Sequence, residues 1–131
     1  MILVDTSAIV ALNDTRDPNH QSAVGFFETI VASAEPILIH NYTISETVSV
    51  LQRRKGFQDA ARFLESIAAW ETHWVSPDEH HDACALFVSR GLRRLSLADC
   101  VSFVVMRRLA IFTAFAFDSD FTREGFKQYG L

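Results

Sequence analysis

The sequence predicts an α/β/α sandwich, in which a short, mostly parallel β-sheet lies between two layers of helices. Short apolar runs without polar alternation, such as residues 2–4, are typical of strands that are covered on both faces. Between these runs, apolar residues recur at helical spacing. Strands that alternate with helices in this way are typical of a parallel sheet.

The length and composition of the chain indicate one globular unit. With 131 residues it can bury one core, so we expect a single domain over residues 1–131. Hydrophobic residues make up 49% and charged residues 21%, which excludes a disordered or fibrous chain. No apolar stretch approaches the roughly 20 residues of a membrane-spanning helix, and the N-terminus lacks the basic region of a signal peptide. We therefore expect a cytoplasmic protein without a membrane segment.

Two helix breakers, Pro36 and Gly56, divide the first half of the chain. The pattern there predicts a strand at 2–4, a helix that starts directly after Ser7, a helix at about 19–34, a strand at 37–39, a helix that carries Glu46, and a helix at about 57–69.

The second half follows the same alternation. Ser76 is predicted to cap a helix that has Pro77 at its first position and stops at Gly91. The other predicted elements are a strand at 72–75, a helix at about 96–109, an aromatic strand at 111–117 and a short strand at 127–129.

Four acids occupy the ends of these predicted elements. Asp5 and Asp118 directly follow strands, whereas Glu46 and Asp99 lie in the first turns of helices. In open parallel sheets, ligands bind outside the carboxyl ends of the strands. Four acids from distant segments could therefore meet at one edge of the sheet.

Each acid alone also has a simpler interpretation as a helix cap. Thr43 with Glu46, and Ser96 with Asp99, match the pattern of a capping box. Together, however, crowded carboxylates repel one another and require a counter-ion. Oxygen ligands favour Mg²⁺ or Mn²⁺, and such a site would support metal-assisted hydrolysis without a nucleophilic side chain. Thr6 or Ser7 could orient a ligand there, although a hydroxyl at a helix start is more often a cap.

Four segments around these acids resemble the motifs of PIN-domain proteins, in the same order along the chain. The segment from Met1 to Ala8 (MILVDTSA) resembles the opening strand and first acid, Ser45-Glu46 the second acid, 95–100 (LSLADC) the third, and 117–121 (FDSDF) the fourth. The similarity covers nearly the whole chain. The length of the chain is also similar to that of the compact VapC-like toxins. Two more residues separate Thr113 from Asp118 than is usual in the family, so Thr113 is assigned no role.

The resemblance implies a PIN-like fold and a Mg²⁺- or Mn²⁺-dependent endoribonuclease that cuts structured RNA such as transfer or ribosomal RNA. It also implies that a VapB-like antitoxin silences the enzyme. Asp5, Glu46, Asp99 and Asp118 would hold the metal, with Asp120 as a further candidate ligand. The alternative is a catalytically inert PIN fold that acts as an RNA- or protein-binding scaffold, but the intact set of four acids argues against it.

Basic and aromatic residues suggest binding surfaces. Arg53, Arg54, Arg93 and Arg94 could bind RNA phosphates, or they could simply be solvated surface residues. The eleven phenylalanines exceed what a small core needs, which leaves room for an exposed apolar patch. A homodimer interface and an antitoxin groove are the candidates for that patch.

Other classes of site fit the sequence less well. Haloacid-dehalogenase-like phosphotransferases require a second acid two residues after the first, where this chain has Ser7. A response-regulator receiver requires paired acids at that point. The acidic and histidine-rich segment at 78–82 is expected to be a solvated helix start, because adjacent helical positions cannot share one ion. Cys84 and Cys100 lack ligand or disulfide spacing and are expected to be buried free thiols.

Overall fold

Five short strands form a sheet in which every neighbouring pair is parallel. The computed structural model describes residues 1–129. The strands are β1 (Ile2–Val4), β2 (Ile37–His40), β3 (Glu71–His73), β4 (Thr113–Phe115) and β5 (Lys127–Tyr129), in the order β3-β2-β1-β4-β5. The chain thus leaves β1 toward one edge and later returns to place β4 on its other side. The carboxyl ends of β1 and β4 therefore flank the point where the strand order reverses, which is where open α/β sheets bind ligands.

Seven helices connect and cover the strands within the described residues. They are α1 (Thr6–Asn13), α2 (His20–Ala32), α3 (Asn41–Lys55), α4 (Phe57–Ser66), α5 (Pro77–Arg90), α6 (Leu97–Arg108) and the short α7 (Asp120–Arg123), with a 3-10 turn at Ile67–Ala69 after α4. None of them has the length and hydropathy needed to cross a bilayer.

The two faces of the sheet carry separate cores because successive side chains of a strand point to opposite sides. Ile2 and Val4 pack with residues of α1 to α4, whereas Leu3 packs with α6, Ala83 of α5 and Phe121 of α7. This arrangement confirms the predicted α/β/α sandwich.

Several predicted helix ends are confirmed. Ser76 and Glu79 form a capping box at the start of α5, with Pro77 at its first position. Gly91 ends α5 with a positive φ of 56°, a conformation that glycine adopts without strain. Ser96 and Asp99 form the predicted capping box of α6.

The start of α3 was predicted wrongly. The helix begins at Asn41, and its cap is His40, whose Nδ1 accepts a hydrogen bond from the Thr43 N–H at 3.2 Å. The capping box assigned to Thr43 and Glu46 therefore does not form. As a consequence Glu46 lies in the second turn of α3 and not in the first.

The aromatic strand is shorter than predicted. β4 ends at Phe115, because the N–H of Phe117 donates to the Ser7 hydroxyl at 2.9 Å and not to a neighbouring strand. Asp118 consequently lies in a turn three residues beyond the strand. The helix α7, which follows that turn, was not predicted.

Candidate metal centre

Three carboxylates converge at the carboxyl edge of the sheet. Asp5 follows β1, Asp118 lies in the turn after β4, and Asp99 is the third residue of α6. Each offers one oxygen, and these three oxygens lie within 4.8 Å of one another. Asp5 and Asp99 are buried and Asp118 is half-buried. Segments from three parts of the chain thus supply one cluster of oxygen donors, which we call the acidic triad.

Asp5 is held by the residue two positions after it. Its Oδ2 accepts from the Ser7 N–H at 3.1 Å and from the Ser7 hydroxyl at 2.6 Å. Because the same hydroxyl accepts from the Phe117 N–H, Ser7 joins the end of β1 to the segment that leads to Asp118. Thr6 is buried, and its hydroxyl accepts from Thr47 of α3 at 3.1 Å. Ser7 thus positions the triad, and Thr6 joins α1 to α3.

Asp99 is both a cap and a member of the triad. Its Oδ2 accepts from the Ser96 N–H at 2.9 Å, while its own N–H donates to the Ser96 hydroxyl at 3.0 Å. The capping interpretation and the cluster interpretation are therefore compatible, since a carboxylate has two oxygens. The cap fixes the orientation of the side chain.

Glu46 lies beside the triad but outside it. It lines a cavity of about 350 Å³ together with all three aspartates, yet none of its oxygens joins their 4.8 Å cluster. Its charge nevertheless raises the pKa values of Asp99 and Asp118. The structure thus brings the four predicted acids to one cavity and divides them into three adjacent carboxylates and one peripheral carboxylate.

Burial and mutual repulsion make this arrangement unfavourable for ionised acids. Burial, followed by the charges of Asp99 and Asp118, raises the pKa of Asp5 well above its usual range. Burial also raises the pKa of Asp99, and the hydrogen bonds from Ser96 oppose that shift only in part. The pKa of Asp118 is raised chiefly by burial as well. A divalent cation would relieve this repulsion, and the all-oxygen donor set fits one.

Asp120 does not join the triad. Its backbone N–H donates to Asp118 Oδ1 at 3.0 Å, whereas its buried side chain accepts from Arg94 Nε at 2.7 Å and from Arg123 Nη1 at 3.1 Å. Both guanidinium groups bind Oδ1 of the carboxylate that was considered as a further metal ligand. Its contact with Arg94 indicates a positioning role.

Two of the four candidate arginines reach the cavity. All four side chains are exposed, but only Arg54 and Arg94 line the cavity. Arg54 is held 3.4 Å from Asp17, and Arg94 is held by Asp120. Sequence spacing alone could not separate the members of each pair.

Among the residues of the cavity wall that sequence reasoning missed are two polar residues from one loop. Asp17 and Asn19 line the cavity from the segment between α1 and α2. Neither belongs to a motif with the acids, and the ion pair between Asp17 and Arg54 of α3 links this loop to the cavity wall.

The segment at 78–82 is less solvated than predicted. Glu79 is buried, caps α5 and accepts from His73 Nε2 at 2.9 Å, and His80 is hydrogen-bonded to the Tyr42 hydroxyl. Within residues 1–129, the group of three potential metal ligands that lies together is the acidic triad, to which this segment does not contribute. Cys84 and Cys100 are both free thiols, but only Cys100 is fully buried.

Comparison with known proteins adds an independent line of support. A family model described as PIN domain matches residues 2–127. The chain is 34% identical over 129 residues to the 23S rRNA-specific endonuclease VapC20 of Mycobacterium tuberculosis. The matched region covers 96% of this chain and 95% of that protein.

Solved structures agree with this similarity. The crystal structure of M. tuberculosis VapC20, described as a Sarcin-Ricin loop cleaving toxin, matches with a TM-score of 0.82 and 33% identity over 96% of both chains. PAE2754 from Pyrobaculum aerophilum matches with a TM-score of 0.65 and 20% identity over 98% of this chain and 88% of that one, which shows a shared fold.

The raised pKa values predict how the metal-free protein responds to pH. The pKa of Asp5 is raised from 3.8 to about 8. Between these two pH values, the Asp5 carboxyl therefore keeps a proton in the folded chain that it has released in the unfolded chain. The contribution of Asp5 to the free energy of unfolding is therefore most favourable below about pH 4, and it decreases as the pH rises toward about 8. Buried His40, whose pKa burial lowers from 6.5 to about 3, acts in the opposite direction up to about pH 6.5. In EDTA, we therefore compare variants: the midpoint of Asp5→Asn should fall less, or rise more, across this range than that of the wild type.

Glu65→Gln serves as the control, because Glu65 is exposed on α4. It should leave the slope as in the wild type. Glu124 does not obscure the effect. The hydrogen bond from Arg90 is the main reason that its pKa is lowered from 4.5 to about 2, so its contribution to the free energy of unfolding is lost only as the pH falls below about 4.5. A pH slope in EDTA that is the same in Asp5→Asn as in the wild type would contradict the interpretation.

Proposed function

The chain belongs to the PIN-domain family, and we propose that it is a divalent-metal-dependent endoribonuclease in which the acidic triad holds the catalytic cation. The observation that carries the proposal is the triad itself, three carboxylates within 4.8 Å at the switch point of a parallel sheet. Such a cluster has little structural value without a cation, because burial and repulsion both oppose ionisation.

The four acids have two kinds of role in this proposal. Asp5, Asp99 and Asp118 bind the cation directly, and Glu46 completes the negative field from α3. Hard oxygen donors favour Mg²⁺ or Mn²⁺ over zinc. A bound cation supplies Lewis acidity, which lowers the pKa of water and neutralises charge on the phosphate. Ser7 and Ser96 hold Asp5 and Asp99 in position for it.

Ribosomal RNA is the proposed substrate. The relative that is 34% identical over 96% of this chain is named for its action on 23S rRNA. We extend that substrate to this chain, and transfer RNA is the alternative to be tested in the same assay.

Cleavage assays test the activity directly. Ribosomes, purified 23S rRNA and transfer RNA should be incubated with the protein in Mg²⁺ or Mn²⁺, and cut sites mapped by primer extension. We expect cleavage of 23S rRNA that stops in EDTA. Asp5→Asn and Asp99→Asn should reduce kcat/KM by at least about 10- to 100-fold, as loss of a metal-site group does, whereas Glu65→Gln should retain full activity.

Two outcomes would contradict this proposal. Cleavage that continues in excess EDTA would remove the metal from the mechanism. RNA binding without cleavage in either Mg²⁺ or Mn²⁺ would favour the inert scaffold.

Arg54 and Arg94 are proposed to bind phosphates that flank the cleaved bond. Both line the acidic cavity, and ion pairs with Asp17 and Asp120 restrict their side chains. Restricted guanidinium groups lose less conformational entropy when they bind an anion. Their charge also offsets the repulsion between RNA and the acids around them.

Salt dependence separates these arginines from their neighbours. Arg54→Gln and Arg94→Gln should each reduce the slope of log K against log salt by about 0.7 to 0.9 for every lost phosphate contact. Arg53→Gln and Arg93→Gln are matched controls, because they remove the same charge from adjacent positions outside the cavity. Equal effects within each pair would indicate a general electrostatic attraction and no specific contact.

We further propose that an apolar groove between α1, α2 and α4 receives a VapB-like antitoxin. The relative with the TM-score of 0.82 is described as a toxin, which is the basis for expecting such a partner. The groove has a volume of about 310 Å³ and is lined by Ile9, Leu12, Asn13, Phe27, Phe63, Ser66 and Trp70. An apolar helix or strand is the segment that such a groove fits.

Co-expression with the product of the adjacent gene tests the groove. Leu12→Lys places a charge in the groove at a half-buried position and should abolish co-purification and inhibition, with RNA cleavage retained. Phe112→Lys is the control, since Phe112 is 70% exposed and does not line the groove. Loss of binding in both variants, or in neither, would exclude this groove. The homodimer stays a prediction that light scattering would test.

A further inference from the structure

A second cavity adjoins the acidic cavity across Glu46. It has a volume of about 390 Å³ and is lined by Asn41, Tyr42, Ser45, Glu46, Ser49 and Ala98. Glu46 lines both cavities, and Ala98 immediately precedes Asp99 of the triad. The second cavity, here called the polar pocket, therefore opens directly beside the place where the proposed function puts the cleaved phosphodiester. Its volume lies within the range of small-molecule sites.

The polar pocket is suited to an uncharged group with hydrogen-bonding capacity. Asn41, Ser45 and Ser49 are spaced four residues apart on α3, so they lie along one face of the helix. No lysine or arginine lines the polar pocket, whereas Arg54 and Arg94 line the acidic cavity. A phosphate would lack a partner in the polar pocket and would face Glu46. A nucleobase with its ribose has the polarity that the lining fits.

Asn41 presents a fixed donor that the protein itself does not use. The Val75 N–H donates to Asn41 Oδ1 at 2.9 Å, which fixes the orientation of the amide and leaves its NH₂ group on the other side. Among residues 1–129, no acceptor receives a hydrogen bond from that NH₂ group. No buried side-chain nitrogen or oxygen in this range lacks a partner, so the group is accessible to solvent. An oriented, accessible donor is what a base-reading contact requires.

An exposed aromatic residue is adjacent in sequence to Val75, whose N–H binds Asn41. Trp74 immediately precedes Val75 and is 73% exposed at the carboxyl end of β3, the same edge of the sheet that carries the triad. Exposed aromatic side chains at RNA-binding surfaces stack on unpaired bases.

We propose that the polar pocket binds the nucleotide next to the cleaved phosphodiester, with the Asn41 NH₂ group donating to its base and Trp74 stacking on a neighbouring base. This inference rests on the proposed function, because it assumes that RNA crosses the acidic cavity. The base must be unpaired, since base edges inside an A-form helix are not accessible to side chains. Asn41 and Trp74 thereby determine which unpaired sequence is cut.

Tryptophan fluorescence tests the stacking contact independently of activity. The chain has two tryptophans, so Trp70→Phe leaves Trp74 as the reporter and Trp74→Phe leaves Trp70. Each variant should be titrated with oligo(A), oligo(C) and oligo(U) in Ca²⁺, which takes the same carboxylate oxygens at longer bonds. We expect quenching when Trp74 reports and little change when Trp70 reports. RNA binding without a response from Trp74 would overturn the stacking contact.

Base preference tests the role of Asn41. Asn41→Asp keeps an oxygen for the Val75 N–H but removes the donor, so it preserves the structural contact. Its added charge lowers kcat/KM for all probes alike, whereas loss of a base contact changes the ratio between oligo(A), oligo(C) and oligo(U) by about 2- to 10-fold. Ser89→Asp is the control for charge, because Ser89 is exposed on α5 and lines neither cavity.

The outcomes separate this inference from the nuclease proposal. If the wild type cleaves no RNA in Mg²⁺ or Mn²⁺, the proposed function fails. If it cleaves RNA while Asn41→Asp leaves the base ratio unchanged and Trp74 does not respond, the polar pocket is not a nucleotide site and the nuclease remains. A Trp74 response to the antitoxin alone would assign this surface to a protein contact.

Discussion

The constraint on which this structure depends is the cost of burying several carboxylates together. Desolvation and mutual repulsion both favour the protonated acids, so the fold must hold them in place against that cost. It does so with hydrogen bonds from Ser7 to Asp5, from Ser96 to Asp99 and from the Asp120 N–H to Asp118. A bound cation would add its binding free energy to this balance, which would couple stability to metal binding.

The topology of the sheet explains why these acids meet. Placing β4 beside β1 brings together residues that are more than one hundred positions apart, and the hydrogen bond from the Phe117 N–H to the Ser7 hydroxyl ties the two segments. That hydroxyl also donates to Asp5. Ser7 thus orients Asp5 at the end of β1 and also binds the Phe117 N–H, which lies just beyond the end of β4. A substitution there would be expected to affect geometry more than charge.

Much of the site was predictable because it depends on local rules. An acid that directly follows a buried strand is placed by the strand, and Asp99 is placed by its capping box. Glu46 and Asp120 show where such rules fail. His40 replaced Thr43 as the cap of α3 and moved Glu46 into the second turn, while Arg94 and Arg123 occupied Asp120. Both outcomes follow from contacts between residues that are distant in sequence or from different elements.

The sequence by itself determined the alternation of strands and helices, the position of Asp5, the cap at Ser96 and the family to which the chain belongs, because each is encoded in a short continuous segment. Only the tertiary structure decided which acids form the triad, which arginine of each adjacent pair reaches the cavity, and that Asn41 lines a second cavity that shares Glu46 with the first. The physical reason is that adjacent residues on a helix or turn point in different directions, and packing alone selects which of them faces a cavity.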